Sequence, residues 1–288
     1  MPSRSLLSSV VVPTDFSEGA QHAVERVMRL PLAPKSKVTL LHVLPDDIPG
    51  KLRKEALAEA ERSLEKSCAR AAQLALSLGV KAQVVCDVVE GSAAEQIVKR
   101  AHTVEADLVC MGRHGRRSLV NMLLGSVAAK TIRIGDVPVL LVKHAPVNAY
   151  RRVVIAVDLQ KGSDKVLKVS RPFVEEALDL SVLSATSVPY EEFVMLETGR
   201  ADELRAEATR DAQKQLSALI SKVGLVRAEA MVLPGDARVL ILEQARTRAV
   251  ELIVVGTRGL TGVKRLVLGS VAEWVLQNAT TDVLVTRT

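Results

Sequence analysis

The chain has 288 residues, enough for two ordinary domains that each bury a core. Hydrophobic residues make up 48%, charged residues 25% and aromatics 2%, which excludes a disordered chain and leaves little for the stacking platforms that bind single-stranded nucleic acid. The net charge is +6, and the excess lies before residue 148, with 20 Lys+Arg against 15 Asp+Glu there and 19 against 18 after it. No long basic run accompanies it, so a solvated, mildly basic surface is expected rather than a DNA-binding one.

The opening "MPSRSLLSSVVVPTD" lacks the uninterrupted apolar core of a secretory signal, and no stretch reaches the length of a membrane span. A soluble, cytoplasmic protein without membrane contact is the expectation. Cys68, Cys86 and Cys110 form no CxxC pair. Their odd number and wide spacing are read as reduced thiols, neither zinc ligands nor a disulfide framework.

In chain order, "SSVVVPTD", "KVTLLHVL", "KAQVVCDVV", "ADLVCMG" and "VPVLLV" are short β-branched runs suited to buried parallel strands. Segments with apolar spacing near 3.6 separate them. The longest, at 51–79, closes on Gly79, where a left-handed residue would end the helix. A Pro/Asn-containing stretch, "KHAPVNAY" at 143–150, reads as a linker. Then the alternation restarts: "RRVVIAVD", "LSVLSAT", "AEAMVL", "VELIVVG" and "TDVLVT", with a long helical segment at 200–224 ending on Gly224.

The second half repeats the first. "VVVPTDFSEGAQHAVERV" at 10–27 matches "VVIAVDLQKGSDKVLKVS" at 153–170, and from Gly91 to Val142 the counterpart lies 144 positions on without a gap. That period is a whole domain, not a solenoid unit, so the chain reads as a duplication with domains 1–147 and 148–288. Parallel strands need crossover helices. The predicted fold is therefore α/β: two tandem Rossmann-like doubly wound domains, each a five-stranded parallel sheet flanked by helices. Ligands of such sheets bind at the carboxyl ends of the strands, where the winding reverses.

Two glycine patterns fall at that crevice. The fourth strand is followed by "MGRHGRRSLVNMLLGSVA", with Gly112, Gly115 and then Gly125-Ser126. "VGTRGLTGVKRLVLGSVA" repeats the spacing with Gly256, Gly259 and Gly269-Ser270. Glycine lets backbone N–H groups approach a ligand that a Cβ would block. A serine at a helix N-cap adds a hydroxyl beside unpaired donors and the positive end of the helix dipole. Together they form a phosphate cradle that needs no lysine. Arg113, His114, Arg116 and Arg117, and in the second copy Arg258, Lys264 and Arg265, supply positive charge nearby. Asp15 and Asp158 end the first strand of each half, placed either to hydrogen-bond a nucleoside or to cap the following helix.

These motifs resemble the universal stress protein family in its tandem form, over nearly the whole chain. Members with Gly-x2-Gly-x9-Gly-Ser/Thr form the ATP-binding branch, so the resemblance implies two sites for ATP, and Mg²⁺ bound with the nucleotide is the expected accompanying ion, with no metal ligands expected from side chains. It implies that Pro13, Thr14 and Asp15 line the adenosine end and that Val43 meets the adenine. Met111, Gly112, Arg113, Gly115, Gly125, Ser126 and Val127 would hold ribose and phosphates, with His114 as a further phosphate contact. The second site would use Ala156, Val157, Asp158, Ala185, Val255, Gly256, Thr257, Arg258, Gly259, Gly269, Ser270 and Val271. In the family the fifth strand pairs domains, which implies an intrachain pseudo-dimer through "VPVLLV" and "TDVLVT" and leaves a further homodimer open. Ser118 departs from the family glycine that Gly262 keeps.

The sequence lacks GxxxxGK[ST], GxGxxG, HxGH and GxSxG motifs and any metal-ligand cluster, so binding is favoured over dedicated catalysis, with slow ATP hydrolysis as the enzymatic alternative. A protein-binding scaffold with structural or empty nucleotide sites is the other, and "TSVPYEEFVMLETG" at 186–199 is its candidate partner surface.

Overall fold

The computed structural model describes residues 6–113, 124–186, 201–257 and 268–287. The N-terminal half runs β1 (Leu7–Pro13), α1 (Glu18–Val27), β2 (Leu32–Leu44), α2 (Gly50–Ser77), β3 (Gln83–Glu90), α3 (Ala93–Thr103), β4 (Leu108–Gly112), α4 (Ser126–Ile134) and β5 (Val139–Val142). The C-terminal half runs β6 (Arg152–Ala156), α5 (Ser163–Val174), β7 (Asp179–Thr186), α6 (Ala201–Val223), β8 (Glu229–Pro234), α7 (Ala237–Thr247), β9 (Leu252–Thr257), α8 (Ser270–Asn278) and β10 (Asp282–Arg287).

The strands form one sheet in the order β3-β2-β1-β4-β5-β10-β9-β6-β7-β8. Every pairing within a half is parallel, as helical crossovers require. The fifth strands of the two halves pair antiparallel, with Leu140 opposite Leu284. These two leucines are counterparts in the repeat, so the local pseudo-two-fold axis passes between them. An edge that would otherwise expose unpaired N–H and C=O groups is thereby closed inside one chain.

Both faces of the sheet are covered, which explains the near-continuous apolar runs of the central strands: Val10, Val11 and Val12 are fully buried, as are Ile253 and Val254. Gly79 and Gly224 adopt φ of +69° and +77° just past α2 and α6, and the next residues, Val80 and Leu225, donate back to Ala75 and Ile220. Those bonds satisfy carbonyls that the helix end leaves open. Asp107 accepts from the Ser8 and Ser9 N–H groups, and its counterpart Glu251 accepts from Arg151 and Arg152. An acidic residue before the fourth strand of each half thus fixes the start of the first.

The cysteine expectation needs correcting. Cys68 on α2 and Cys86 on β3 are joined in a disulfide with Cα atoms 6.3 Å apart. Helix α2 folds back over the strand that follows it, so two residues 18 apart in sequence meet, which spacing alone does not disclose. Cys110 is free and buried, and burial pushes its thiol far above the usual range. Among the described residues no helix is long and apolar enough to cross a membrane, and no group of three or more His, Cys, Asp or Glu side chains is placed to hold a metal ion.

Candidate functional site

The winding reverses between β1 and β4 in one half and between β6 and β9 in the other. Each crevice opens at the carboxyl ends of these strands. Thr14 extends the β1 pairing by donating its N–H to Leu41 O at 2.8 Å. Phe16 then takes φ of +63°, and its counterpart Leu159 takes +59°. This left-handed residue turns the chain sharply into the helix that follows. The Asp15 carboxylate accepts from Ser17 N–H at 3.1 Å, and Ser17 in turn caps α1 by accepting from Ala20 N–H. In the other half the Asp158 carboxylate accepts from Gln160 N–H at 3.0 Å and from the Ser163 hydroxyl at 3.2 Å. Both aspartates therefore shape their own turns.

Residues that the sequence did not single out stand behind the first turn. The Phe16 ring stacks on His42 with centroids 4.5 Å apart, and His42 Nδ1 lies 2.8 Å from Thr14 O. Val43, beside His42 on β2, is half-buried, as are Pro13, Ala156 and Ala185 at their strand ends. Val157 is buried and donates its N–H to Leu183 O.

Gly112 ends β4 where α1 approaches most closely. A Cβ there would lie 2.4 Å from the carbonyl carbon of Gly19 and 2.9 Å from Ala20 N. Packing of the helix on the strand thus demands glycine with or without a ligand. Met111 and Val255 are buried beneath the crevice, and Thr257 is buried with its hydroxyl 3.5 Å from Thr286 O.

The Gly-Ser pairs behave differently from a serine N-cap. Gly125 and Gly269 are themselves the N-caps, with extended backbone, and α4 and α8 begin at Ser126 and Ser270. Glycine supplies no side chain to the first-turn N–H groups, and both serines are exposed. Val127 in that turn is exposed and Val271 half-buried. Gly125 N–H donates to Arg113 O at 3.2 Å, which brings the start of α4 to the end of β4.

The Arg113 guanidinium donates to Gln277 O, near the end of α8 in the other half, at 3.3 Å. His114, Gly115, Arg116, Arg117 and Ser118 lie outside the described residues, as do Arg258, Gly259, Gly262, Lys264, Arg265 and residues 187–199. A cavity of about 240 Å³ between the turn after β6 and α6 is lined by Gln160, Lys161, Ser163, Gln215 and Lys222, and by none of the residues predicted for the second site.

Comparison with known proteins agrees with the duplicated architecture. The universal stress protein family matches twice, over residues 7–143 and 149–287. Universal stress protein MJ0577 of Methanocaldococcus jannaschii is 30% identical over 158 residues, covering 48% of this chain and 96% of that protein. Universal stress protein MT2698 of Mycobacterium tuberculosis is 25% identical over 301 residues and covers 96% of both chains. The crystal structure of a universal stress protein from Archaeoglobus fulgidus gives a TM-score of 0.71 at 22% identity, over 97% of this chain and 98% of that one, and so shares the fold. With two family units joined edge to edge through β5 and β10, the chain belongs to the universal stress protein family as a tandem member.

Proposed function

We propose that each half, 1–147 and 148–288, binds one adenine nucleotide, ATP with its Mg²⁺, at the crevice between its first and fourth strands. Occupancy would then regulate conformation or partner choice in a cytoplasmic stress response. The observation that carries this is the pair of glycine N-caps, Gly125 and Gly269, each opening a helix of nine residues toward the strand-end crevice with no Cβ in the way. Such a terminus offers unpaired N–H donors and partial positive charge to a phosphate.

The flanking residues suit the rest of the molecule. The adenosine moiety is assigned to Thr14 and Asp15, just after β1, and Val43 near the end of β2, and in the second half to Val157 and Asp158, just after β6, and Ala185 near the end of β7. The magnesium ion would be held by the triphosphate, because no side-chain cluster among the described residues is built for it. The sequence carries none of the P-loop, adenylyl-transfer or nucleophile-elbow motifs, so binding is preferred to turnover.

Mass spectrometry of nucleotide that co-purifies with the protein, followed by calorimetric titration of the emptied protein with ATP and Mg²⁺, tests the proposal. Two equivalents are expected, falling to one in Gly125→Val and in Gly269→Val. No heat with ATP and no co-purifying nucleotide would overturn it.

A further inference from the structure

The two cradle helices do not end inside their own halves. The antiparallel pairing of β5 with β10 turns the halves head to tail, so the C-terminus of each cradle helix arrives beside the other half's strand ends. Helix α8, capped by Gly269, finishes against Lys143 and Arg113 of the N-terminal half. The Lys143 ammonium donates to Leu276 O at 3.2 Å and also to Ala279 O, and Arg113 donates to Gln277 O. Helix α4, capped by Gly125, finishes against Arg287 of the C-terminal half, whose guanidinium donates to Gly135 O at 2.8 Å and also to Arg133 O.

Lys143 and Arg287 are counterparts 144 positions apart, so one device is built twice across the pseudo-axis. Between the two helices, Arg133 and Glu273 form an ion pair at 2.9 Å. A cation at a helix C-terminus satisfies carbonyls that have no partner in the helix and favours the same dipole that an anion favours at the N-terminus. The helix is about 13 Å long, so it acts less as a wire for charge than as a rigid rod held at both ends.

The contacts also reach the strand ends of both crevices. Arg113 follows Gly112 directly, and its carbonyl accepts from the Gly125 N–H while its side chain holds α8. Arg287 pairs in the sheet with Thr257, the residue after Gly256. Each crevice is therefore tied, through one residue of its own half, to the far end of the other half's cradle helix.

We infer that Arg287 and Lys143 are positioning residues acting across the halves, each setting the anion-binding turn of the cradle helix in the opposite half, so that the two sites are coupled. The inference rests on the nucleotide sites proposed above for its ligand, but its geometry does not. A movement of either helix needed to admit or release a phosphate must shift or break contacts made by the other half. Reciprocal coupling follows, because linkage requires each site to affect the other equally.

The test uses the full chain with Gly269→Val to silence the second site, so that titration with ATP and Mg²⁺ reads the first alone. Adding Arg287→Gln, on the opposite half, should weaken that binding about two- to thirtyfold, the range in which residues away from a ligand modulate coupling, and Arg287→Lys should restore most of it. Backbone hydrogen exchange of the nucleotide-free protein supplies a second measurement. In Arg287→Gln exchange should quicken at residues 126–129, and in Lys143→Met at residues 270–273, while β1 and β6 keep their rates.

Unchanged affinity together with unchanged exchange would overturn the inference, and so would a uniform quickening through a whole half, which marks general loosening. If no variant binds ATP but the local exchange effects are present, the positioning roles of Arg287 and Lys143 stand and the nucleotide assignment falls.

Discussion

Arg26 on α1 and Asp282 at the start of β10 form a buried ion pair, Nε to Oδ2 3.3 Å, between the two halves of the chain. Tyr150 donates its hydroxyl to the same carboxylate at 2.6 Å, and the Lys143 N–H donates to its other oxygen at 2.8 Å. The Arg26 guanidinium lies 4.1 Å over the Tyr150 ring and donates to Asn148 O. One carboxylate thus gathers a helix of the first half and both ends of the connecting segment. Burial and the neighbouring Asp282 charge hold the Tyr150 hydroxyl well above its usual range, so it stays a donor at physiological pH.

Removing that carboxylate strands a buried guanidinium. Asp282→Ala should cost about 3–5 kcal/mol, as one-sided loss of a buried pair does. The double change Arg26→Met with Asp282→Leu should cost less than the single one. Urea denaturation of the three proteins measures the difference, and equal losses would show that the pair contributes nothing beyond its volume.

Lys143 gives the fold a pH dependence of unusual sign. Burial, with help from Arg113 and against the pull of Asp282, pushes its ammonium down to about 7. The folded state then holds fewer protons than the unfolded chain between that value and the ordinary lysine range near 10.4. Stability should rise with pH across this window, by about 1–2 kcal/mol once solvent screening is allowed for. Denaturation at pH 6.5 and 9 should show the rise, and Lys143→Met should flatten it.

Gly112→Ala separates packing from ligand binding. The added Cβ would press on the Gly19 carbonyl, backbone that cannot swing aside. A loss of about 1–3 kcal/mol is expected without any nucleotide present. Thermal melting of the emptied protein is the measurement, and an unchanged melting temperature would show that α1 can retreat from β4.

Trp274 can test the second proposed site. It lies in α8, four residues after Ser270, is 42% exposed, and faces the Arg238 guanidinium 5.8 Å away. ATP with Mg²⁺ should alter its emission, and Gly269→Val should largely abolish the change.

The disulfide predicts a mass and a stability. The oxidised chain should be two hydrogens lighter than the reduced one, and reduction should cost about 3 kcal/mol, the loop-closure value for a ring of this size. Intact-mass analysis before and after reductant, with denaturation of Cys68→Ala as control, checks both. Two free thiols at residues 68 and 86 in the untreated protein would count against the bridge.

The elements that repeat were the legible ones. β-branched runs mark the strands, Gly79 and Gly224 mark the ends of the long helices, and the recurrence of "LGSVA" marks the starts of α4 and α8. Where each side chain points was not legible. Arg113 sits inside a glycine motif yet reaches into the opposite half, since only the sheet order brings α8 beside it. Gly112 has a packing reason that depends on how closely α1 approaches. Gly125 rather than Ser126 caps α4, a one-residue difference that spacing cannot resolve. His42 gave no motif, and its stacking with Phe16 follows from the left-handed turn at that phenylalanine. The paired positions Lys143 and Arg287 did carry a trace, because the repeat aligns two cations there.

Running β5 against β10 has a geometric consequence for anything that meets this protein. With the strand directions of the two units opposed, their crevices open at opposite margins of a single ten-stranded layer. A small rigid visitor can therefore sample one mouth at a time, and only an extended or paired visitor could span both. The short tether at 143–151 makes the meeting of the two edges unimolecular, so dilution does not part them, and each unit is free to drift in surface chemistry while its companion stays at hand.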